Sequence, residues 1–239
     1  MVITKEIEYR ADNVLLKGFC AYPDKGAHLS AIIIAPTWAG RDSFACDKAM
    51  LLAKRGYLAF ALDLYGDGKV GQSKDENASL MNNLLEDKYA LMTRLRAAFS
   101  VVRKMHRVDK SNIAAIGYCL GGRCVLDMAR ANMELNAVIS FHGLLQSNIT
   151  KEQNIESKVL VLHGNNDPMV TPEHVYNFQQ EMESRKADWQ LHTFGNTYHA
   201  FTNPKANDIE FGTVYNKVSD QRSWKLAINF LKENFTRGY

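Results

Sequence analysis

No stretch of the 239-residue chain approaches the roughly eighteen consecutive apolar residues that a membrane-spanning helix needs. Between Met1 and Arg10, where a secretory signal would begin its apolar core, stand Lys5, Glu6 and Glu8. The expectation is a soluble, cytoplasmic protein that does not engage a membrane. An excess of one charge is missing as well: 29 basic and 26 acidic residues leave a net charge of +3, and the two signs are interleaved. No field therefore points to nucleic acid, and the expected partner is a small neutral or mildly anionic molecule. The four cysteines, Cys20, Cys46, Cys119 and Cys124, form neither C-x-x-C nor a zinc-ligand spacing, which fits a reducing compartment and gives no metal site. Internal repeats, low-complexity tracts and linker-like shifts of composition are absent. With 46% apolar residues, one domain over residues 1–239 is the economical reading. No heptad or interface pattern stands out, so a monomer is the default and a dimer stays open.

What is present is an alternation of apolar runs with helical stretches. Residues 3–22 carry short apolar runs broken by Ala11-Asp12-Asn13, which predicts an antiparallel hairpin. Strands follow at Ala31–Ala35, Tyr57–Leu62, Ile113–Ile116, Ala137–Phe141, Val159–Leu162 and Trp189–Phe194. Helices are expected over Phe44–Lys54, Leu80–Met105, Arg123–Ala131, Glu173–Lys186 and Asp220–Asn234. The polar segments Lys69–Ser79 and Leu144–Ser157 read as loops. Such alternation predicts a largely parallel sheet with helices on both faces, whose chemistry gathers at the carboxyl ends of the strands.

One strand end stands out. Gly117-Tyr118-Cys119-Leu120-Gly121-Gly122 follows an apolar run and precedes a helix, the pattern of a nucleophile elbow with Cys in the place of Ser. The glycines let strand and helix approach closely enough for a sharp, strained turn to lift one side chain out of the sheet. Taken alone, a Cys there is as often core filler as nucleophile. A thiol with a pKa of about 8.5 needs a helix N-terminus, a base or both to work at neutral pH. In the order nucleophile, acid, His, the base falls at His199 and the acid at Asp167, within Gly164-Asn165-Asn166-Asp167-Pro168. Asp63 and Asp67, at an earlier strand end, are the rival acids. His142 and His163 lie at strand ends and are more economically structural than chemical. The donors for an oxyanion would be the backbone N–H groups of Leu120 and Trp38.

These residues, with Asp63-Leu64-Tyr65-Gly66, His163-Gly164-x-x-Asp167-Pro168 and His199-Ala200-Phe201, resemble the dienelactone hydrolase family of α/β-hydrolases over nearly the whole chain. The resemblance implies an α/β-hydrolase fold and a Cys119, His199 and Asp167 triad. It also implies an oxyanion hole from the Trp38 and Leu120 amides, and hydrolysis of a lactone or related small ester without a cofactor. The candidate substrate pocket comprises Thr37, Tyr65, Tyr118, His142 and Phe201, with Trp38 as a further wall. Two positions depart from the family pattern. Thr37 stands where the best-studied members carry a Glu that helps activate the thiol, and Asn203 stands where those members carry an Arg for a substrate carboxylate. Arg94 or Arg96 could supply that cation, although a solvated helix face is the plainer reading for both. The rival functions are a short-chain carboxylesterase or thioesterase with the same triad, and a non-catalytic binding protein of the same fold.

Overall fold

The computed structural model of the protein describes residues 1–147, 149 and 153–235, apart from the Lys88 side chain. Positions 148 and 150–152 of the expected loop 144–157 lie outside the described residues. The chain forms two compact units, Met1–Ala115 and Ile116–Tyr239.

The first unit begins with the expected hairpin, β1 (Val2–Ala11) and β2 (Val14–Pro23). Ala11 pairs with Val14, so Asp12 and Asn13 form a two-residue turn, and Asp12 takes the positive φ of 50° that short polar side chains tolerate. Then come β3 (Leu29–Ala35), buried from Ala31 onward, α1 (Ser43–Ala53), capped by the Asp42 carboxylate, and β4 (Leu58–Ala61). The sheet order in this unit is β1-β2-β4-β3-β5, where β5 is Val108–Tyr118. The β3–β4 pair is parallel, and β2 joins β4 in antiparallel sense.

Two expectations are corrected between β4 and β5. Helix α2 (Lys74–Glu86) starts inside the segment Lys69–Ser79 that reads as a loop. Ser73 caps it by accepting from the Glu76 N–H, and Asp75 and Glu76 lie in the first turn. That polarity belongs to a solvated helix face that buries only Leu84. The single helix expected over Leu80–Met105 is in fact broken at Asp87, whose backbone leaves the helical region (φ −96°, ψ 85°) while its carboxylate caps Ala90. Helix α3 (Lys88–Lys104) then packs on β1 and β3.

Strand β5 runs unbroken into the second unit, which contains α4 (Leu120–Arg130), β6 (Ala137–Phe141), β7 (Lys158–Gly164), α5 (Pro172–Ser184) and β8 (Trp189–Phe194). A short hairpin of β9 (Asn207–Asp208) and β10 (Thr213–Val214), which escaped the apolar-run reading, precedes α6 (Lys217–Asn234). Strands β6, β7 and β8 pair in parallel, with Val159 opposite both Val138 and Trp189. Helices α4 and α6 pack on β6, which is buried along its whole length.

A charged network sits in this core. Arg130, 1% exposed, donates to Asp127 Oδ1 (3.0 Å), to both Glu181 carboxylate oxygens (2.9 and 2.7 Å) and to the Leu145 carbonyl (2.8 Å). Arg185 donates to Glu181 Oε1 (3.3 Å) and to the Arg130 carbonyl (2.8 Å). The network ties α4 to α5 and to the segment after β6. No helix among the described residues is long and apolar enough to cross a membrane.

Candidate active site

The elbow is built as its spacing demands. Cys119 stands between β5 and α4 with φ 55° and ψ −118°, a sparsely populated conformation for a residue with a Cβ. Backbone bonds hold it there: the Cys119 N–H donates to the Phe141 carbonyl (3.1 Å), and the Gly122 N–H donates to the Cys119 carbonyl (2.9 Å). A Cβ on Gly117 would lie 1.9 Å from the Gly121 carbonyl oxygen, and one on Gly122 would lie 2.5 Å from Ser140 Oγ and 2.6 Å from Gly143 Cα. The glycines are therefore required by close approach of backbone to backbone. The result is a half-buried thiol at the N-terminus of α4.

The loop after β7 carries Asp167, 5% exposed, and the segment after β8 carries His199, 1% exposed. Two bonds between these segments, from Asn165 N–H to the Phe194 carbonyl and from Asn166 N–H to the Thr197 carbonyl (each 2.9 Å), hold them together. His199 is fixed in turn by the β9–β10 hairpin: its N–H donates to the Gly212 carbonyl, and its carbonyl accepts from Val214 N–H (3.0 Å each). Its Nδ1 meets Asp167 Oδ2 at 2.7 Å, while Asp167 Oδ1 accepts from the Met169 N–H at 2.9 Å.

Electrostatics join His199 to Cys119. Burial by itself disfavours the imidazolium, but the charge of the adjoining Cys119 sulfur and the bond to Asp167 outweigh it, and the pKa of His199 rises from 6.5 to about 10. Charge is the larger part of the Cys119 contribution to that rise and a hydrogen bond the smaller. His163, 5% exposed, behaves oppositely: burial lowers its pKa, Asp167 offsets part of this and His199 adds to it. The other thiols differ from Cys119 in setting. Burial pushes Cys20 up to about 12 and raises Cys124 further, and Cys46 is raised by burial against the pull of Arg41.

The rival acids have other duties. Asp63, fully buried, accepts from the N–H groups of Lys17, Tyr65, Gly66 and Gly68 at 2.7–3.0 Å and clasps the turn after β4. Asp67 pairs with Lys17 (2.6 Å) at the surface. The same turn takes up Arg94, whose guanidinium donates to the Leu64 carbonyl, while Arg96 is exposed. Also in the first unit, Thr37 Oγ1 accepts from Ala39 N–H (3.3 Å) and the Tyr65 hydroxyl donates to the Trp38 carbonyl (2.7 Å), so both polar groups shape the Thr37–Gly40 turn.

Of the remaining candidates, Leu120 lies in the first turn of α4 and is fully buried, and Tyr118, Phe201 and His142 are 0%, 0% and 1% exposed. Tyr118 stacks on Phe141 at 4.7 Å. The His142 ring packs at 5.1 Å from the His199 ring and 5.2 Å from that of Phe201. Asn203, where an Arg would bind a carboxylate, spends its carboxamide oxygen on the Lys205 N–H (3.0 Å). Among the described residues, no three His, Cys, Asp or Glu side chains are grouped to hold a metal ion. The sequence reading passed over Thr202, whose hydroxyl lies 2.7 Å from His142 Nε2. Its position three residues after His199 was the only signal.

Comparison with known proteins identifies the family. The sequence profile of the dienelactone hydrolase family matches residues 16–235. An Aquifex aeolicus protein assigned as a carboxymethylenebutenolidase is 26% identical over 234 residues, covering 95% of this chain and 96% of its own. An uncharacterized Caenorhabditis elegans protein is 38% identical over 149 residues, 61% of this chain and 94% of its own. The solved structure named m3DLH superimposes with a TM-score of 0.94 at 31% identity, covering 98% of this chain and 99% of that one. A dienelactone hydrolase-like promiscuous phosphotriesterase from metagenomic libraries does so with 0.93 at 30% identity, with the same coverage. The reading as a non-catalytic binding protein falls with these matches: the chain belongs to the dienelactone hydrolase family and is a carboxylic ester hydrolase of the α/β-hydrolase fold.

Proposed function

We propose that the enzyme hydrolyses a lactone or small ester by covalent catalysis, with Cys119 as nucleophile, His199 as proton carrier and Asp167 as its orienting acid. The observation that carries this reading is the buried His199 imidazole, bonded to Asp167 at 2.7 Å on one side and drawn toward its charged form by the Cys119 sulfur on the other. The resting pair is a thiolate beside an imidazolium, which supplies the activation that Thr37 cannot. The thiolate attacks the carbonyl carbon, and the carbonyl electron pair moves to oxygen. That oxyanion is held by the Leu120 N–H at the start of α4 and, by the sequence reading, by the Trp38 N–H. Collapse expels the alkoxide, which takes the proton from His199 Nε2; in a lactone the resulting alcohol stays tethered to the acyl group. Neutral His199 then removes a proton from water, the hydroxide attacks the thioester, and the thiolate leaves as the free acid forms.

We read residues 1–239 as one catalytic domain, since β5 runs through the division between the two units and the family profile matches both. A phosphotriester is a second substrate class, favoured by the 30% identical neighbour described as a promiscuous phosphotriesterase. The same thiolate would displace an aryloxide from phosphorus. The test compares p-nitrophenyl acetate, a carboxylated dienelactone and a p-nitrophenyl phosphotriester with native enzyme, Cys119→Ala and His199→Ala. Loss of all turnover in both variants is the expected result, with the native preference ranking the substrates. Turnover of any of them by Cys119→Ala at the native rate would remove Cys119 from the reaction.

A further inference from the structure

His142 is bonded or packed to each of the three segments that carry Cys119, Asp167 and His199. It directly follows Phe141, whose carbonyl accepts the Cys119 N–H at the elbow (3.1 Å). Its own N–H donates to the carbonyl of Leu162 (2.8 Å) in β7, the strand that leads into the Asp167 loop. Its Nε2 meets Thr202 Oγ1 at 2.7 Å, and its ring lies against the His199 ring at 5.1 Å with 65° between the planes. His142 and Thr202 are each 1% exposed.

Two further facts argue against simple filling of space. His142 holds a positive φ of 38°, a region unfavourable for a residue with a Cβ, which persists only where surrounding bonds enforce it. Besides His199, the rings packed on it are those of Tyr118 (6.0 Å) and Phe201 (5.2 Å), so a phenyl group would satisfy the packing. It would leave the buried Thr202 hydroxyl without its partner. A ring locked by a hydrogen bond at one edge and set at a steep angle to the His199 ring limits rotation of the latter about χ2. Loss of alignment of about 1 Å at a reacting group costs on the order of 10²-fold in rate.

We propose that His142, locked by Thr202, is a positioning residue for His199, fixing its ring so that Nδ1 stays on Asp167 while Nε2 stays at the Cys119 sulfur. The inference rests on the reading of Cys119, His199 and Asp167 as the triad. The test uses Thr202→Val, which keeps shape and removes the hydroxyl, Thr202→Ser, which restores it, and His142→Phe, which keeps a ring. Thr202→Val and His142→Phe should each lower kcat by about 10- to 100-fold with KM within about twofold, as expected for a group that acts on alignment. The double variant should be no worse than either alone, and Thr202→Ser should recover most of the rate. The downfield proton resonance of His199 Nδ1–H, a signature of its bond to Asp167, should broaden or move in Thr202→Val and return in Thr202→Ser.

Native kcat and an unmoved resonance in Thr202→Val would overturn the proposal, as would a loss confined to KM. A rate loss that merely tracks the unfolded fraction in thermal melts would do the same. If Thr202→Val does not fold, His142→Asn, which tolerates the positive φ, is read in the same way. Cys119→Ala and His199→Ala run in parallel separate the two levels. Activity in those variants sinks the triad reading and this proposal with it, whereas their inactivity beside a fully active Thr202→Val sinks the positioning role alone.

Discussion

Asp167→Asn is the most informative single perturbation. In the native protein the two carboxylate oxygens divide their work: Oδ1 accepts from Met169 N–H at 2.9 Å and Oδ2 from His199 Nδ1 at 2.7 Å. A carboxamide has one acceptor, so it cannot serve both donors. If its oxygen stays on Met169, its NH₂ faces Nδ1 and drives the proton of His199 to Nε2, the wrong tautomer to accept a proton from the thiol or from water. If it turns the other way, two N–H groups confront each other at Met169. The charge is lost as well. A rise of the His199 pKa from 6.5 to about 10 corresponds to about 5 kcal/mol in favour of the imidazolium. Cys119 supplies the largest favourable part and Asp167 the next. Losing both the charge and the tautomer should lower kcat/KM for p-nitrophenyl acetate by about 10³- to 10⁴-fold, or about 4 to 5.5 kcal/mol in the barrier. The fold should persist, since the substitution preserves shape. Initial rates at pH 7, with circular dichroism as the control, decide the matter. A folded variant within tenfold of native activity would refute the assignment of Asp167 as the orienting acid.

Three other outcomes are expected. Iodoacetamide near pH 6.5, followed by mass mapping, should modify Cys119 well ahead of Cys46, Cys20 and Cys124, because burial raises the last three and a neighbouring imidazolium favours the thiolate of the first; equal, slow labelling of all four would contradict the ion pair. Arg130→Ala removes the buried guanidinium that Asp127 and Glu181 share, leaving Asp127 to Arg123 at 3.6 Å and Glu181 to Arg185 at 3.3 Å, and should destabilise the fold by about 3 kcal/mol in urea titrations, the low end for breaking a buried ion pair, while a loss under 1 kcal/mol would mean water takes the place of the guanidinium. His163 has a folded-state pKa below its ordinary 6.5, so the unfolded chain binds more protons in that range and stability falls as pH drops below about 6.5. His163→Gln should flatten that acid-side decline in thermal melts, and an unchanged slope would assign it to other groups.

Much of this was legible before any coordinates. The glycine spacing of residues 117–122 specifies the elbow because a Cβ at Gly117 has nowhere to go, and steric exclusion of that kind is written in residue identity. The meeting of Asp167 and His199 was legible too: each follows an apolar run, and parallel strands bring their carboxyl ends together. Polar segments misled. Lys74–Glu86 is helical although its residues read as a loop, since a helix that buries only Leu84 shows little apolar periodicity, and the Ser73 cap was the signal to weigh.

The sequence by itself determined the eight strands of the main sheet, the strained turn at Cys119 and the types of group available for chemistry, because these depend on backbone sterics and on short-range pattern. Only the tertiary structure decided which groups meet. Asp63 and Asp167 follow strand ends alike, yet one is consumed by four backbone N–H groups and the other is left with an oxygen for His199. Arg130, Asp127 and Glu181 form one buried network, and His142 finds Thr202 sixty residues away. Contacts of that range follow from how strands and helices stack, and a side chain's charge state follows from what surrounds it once they have.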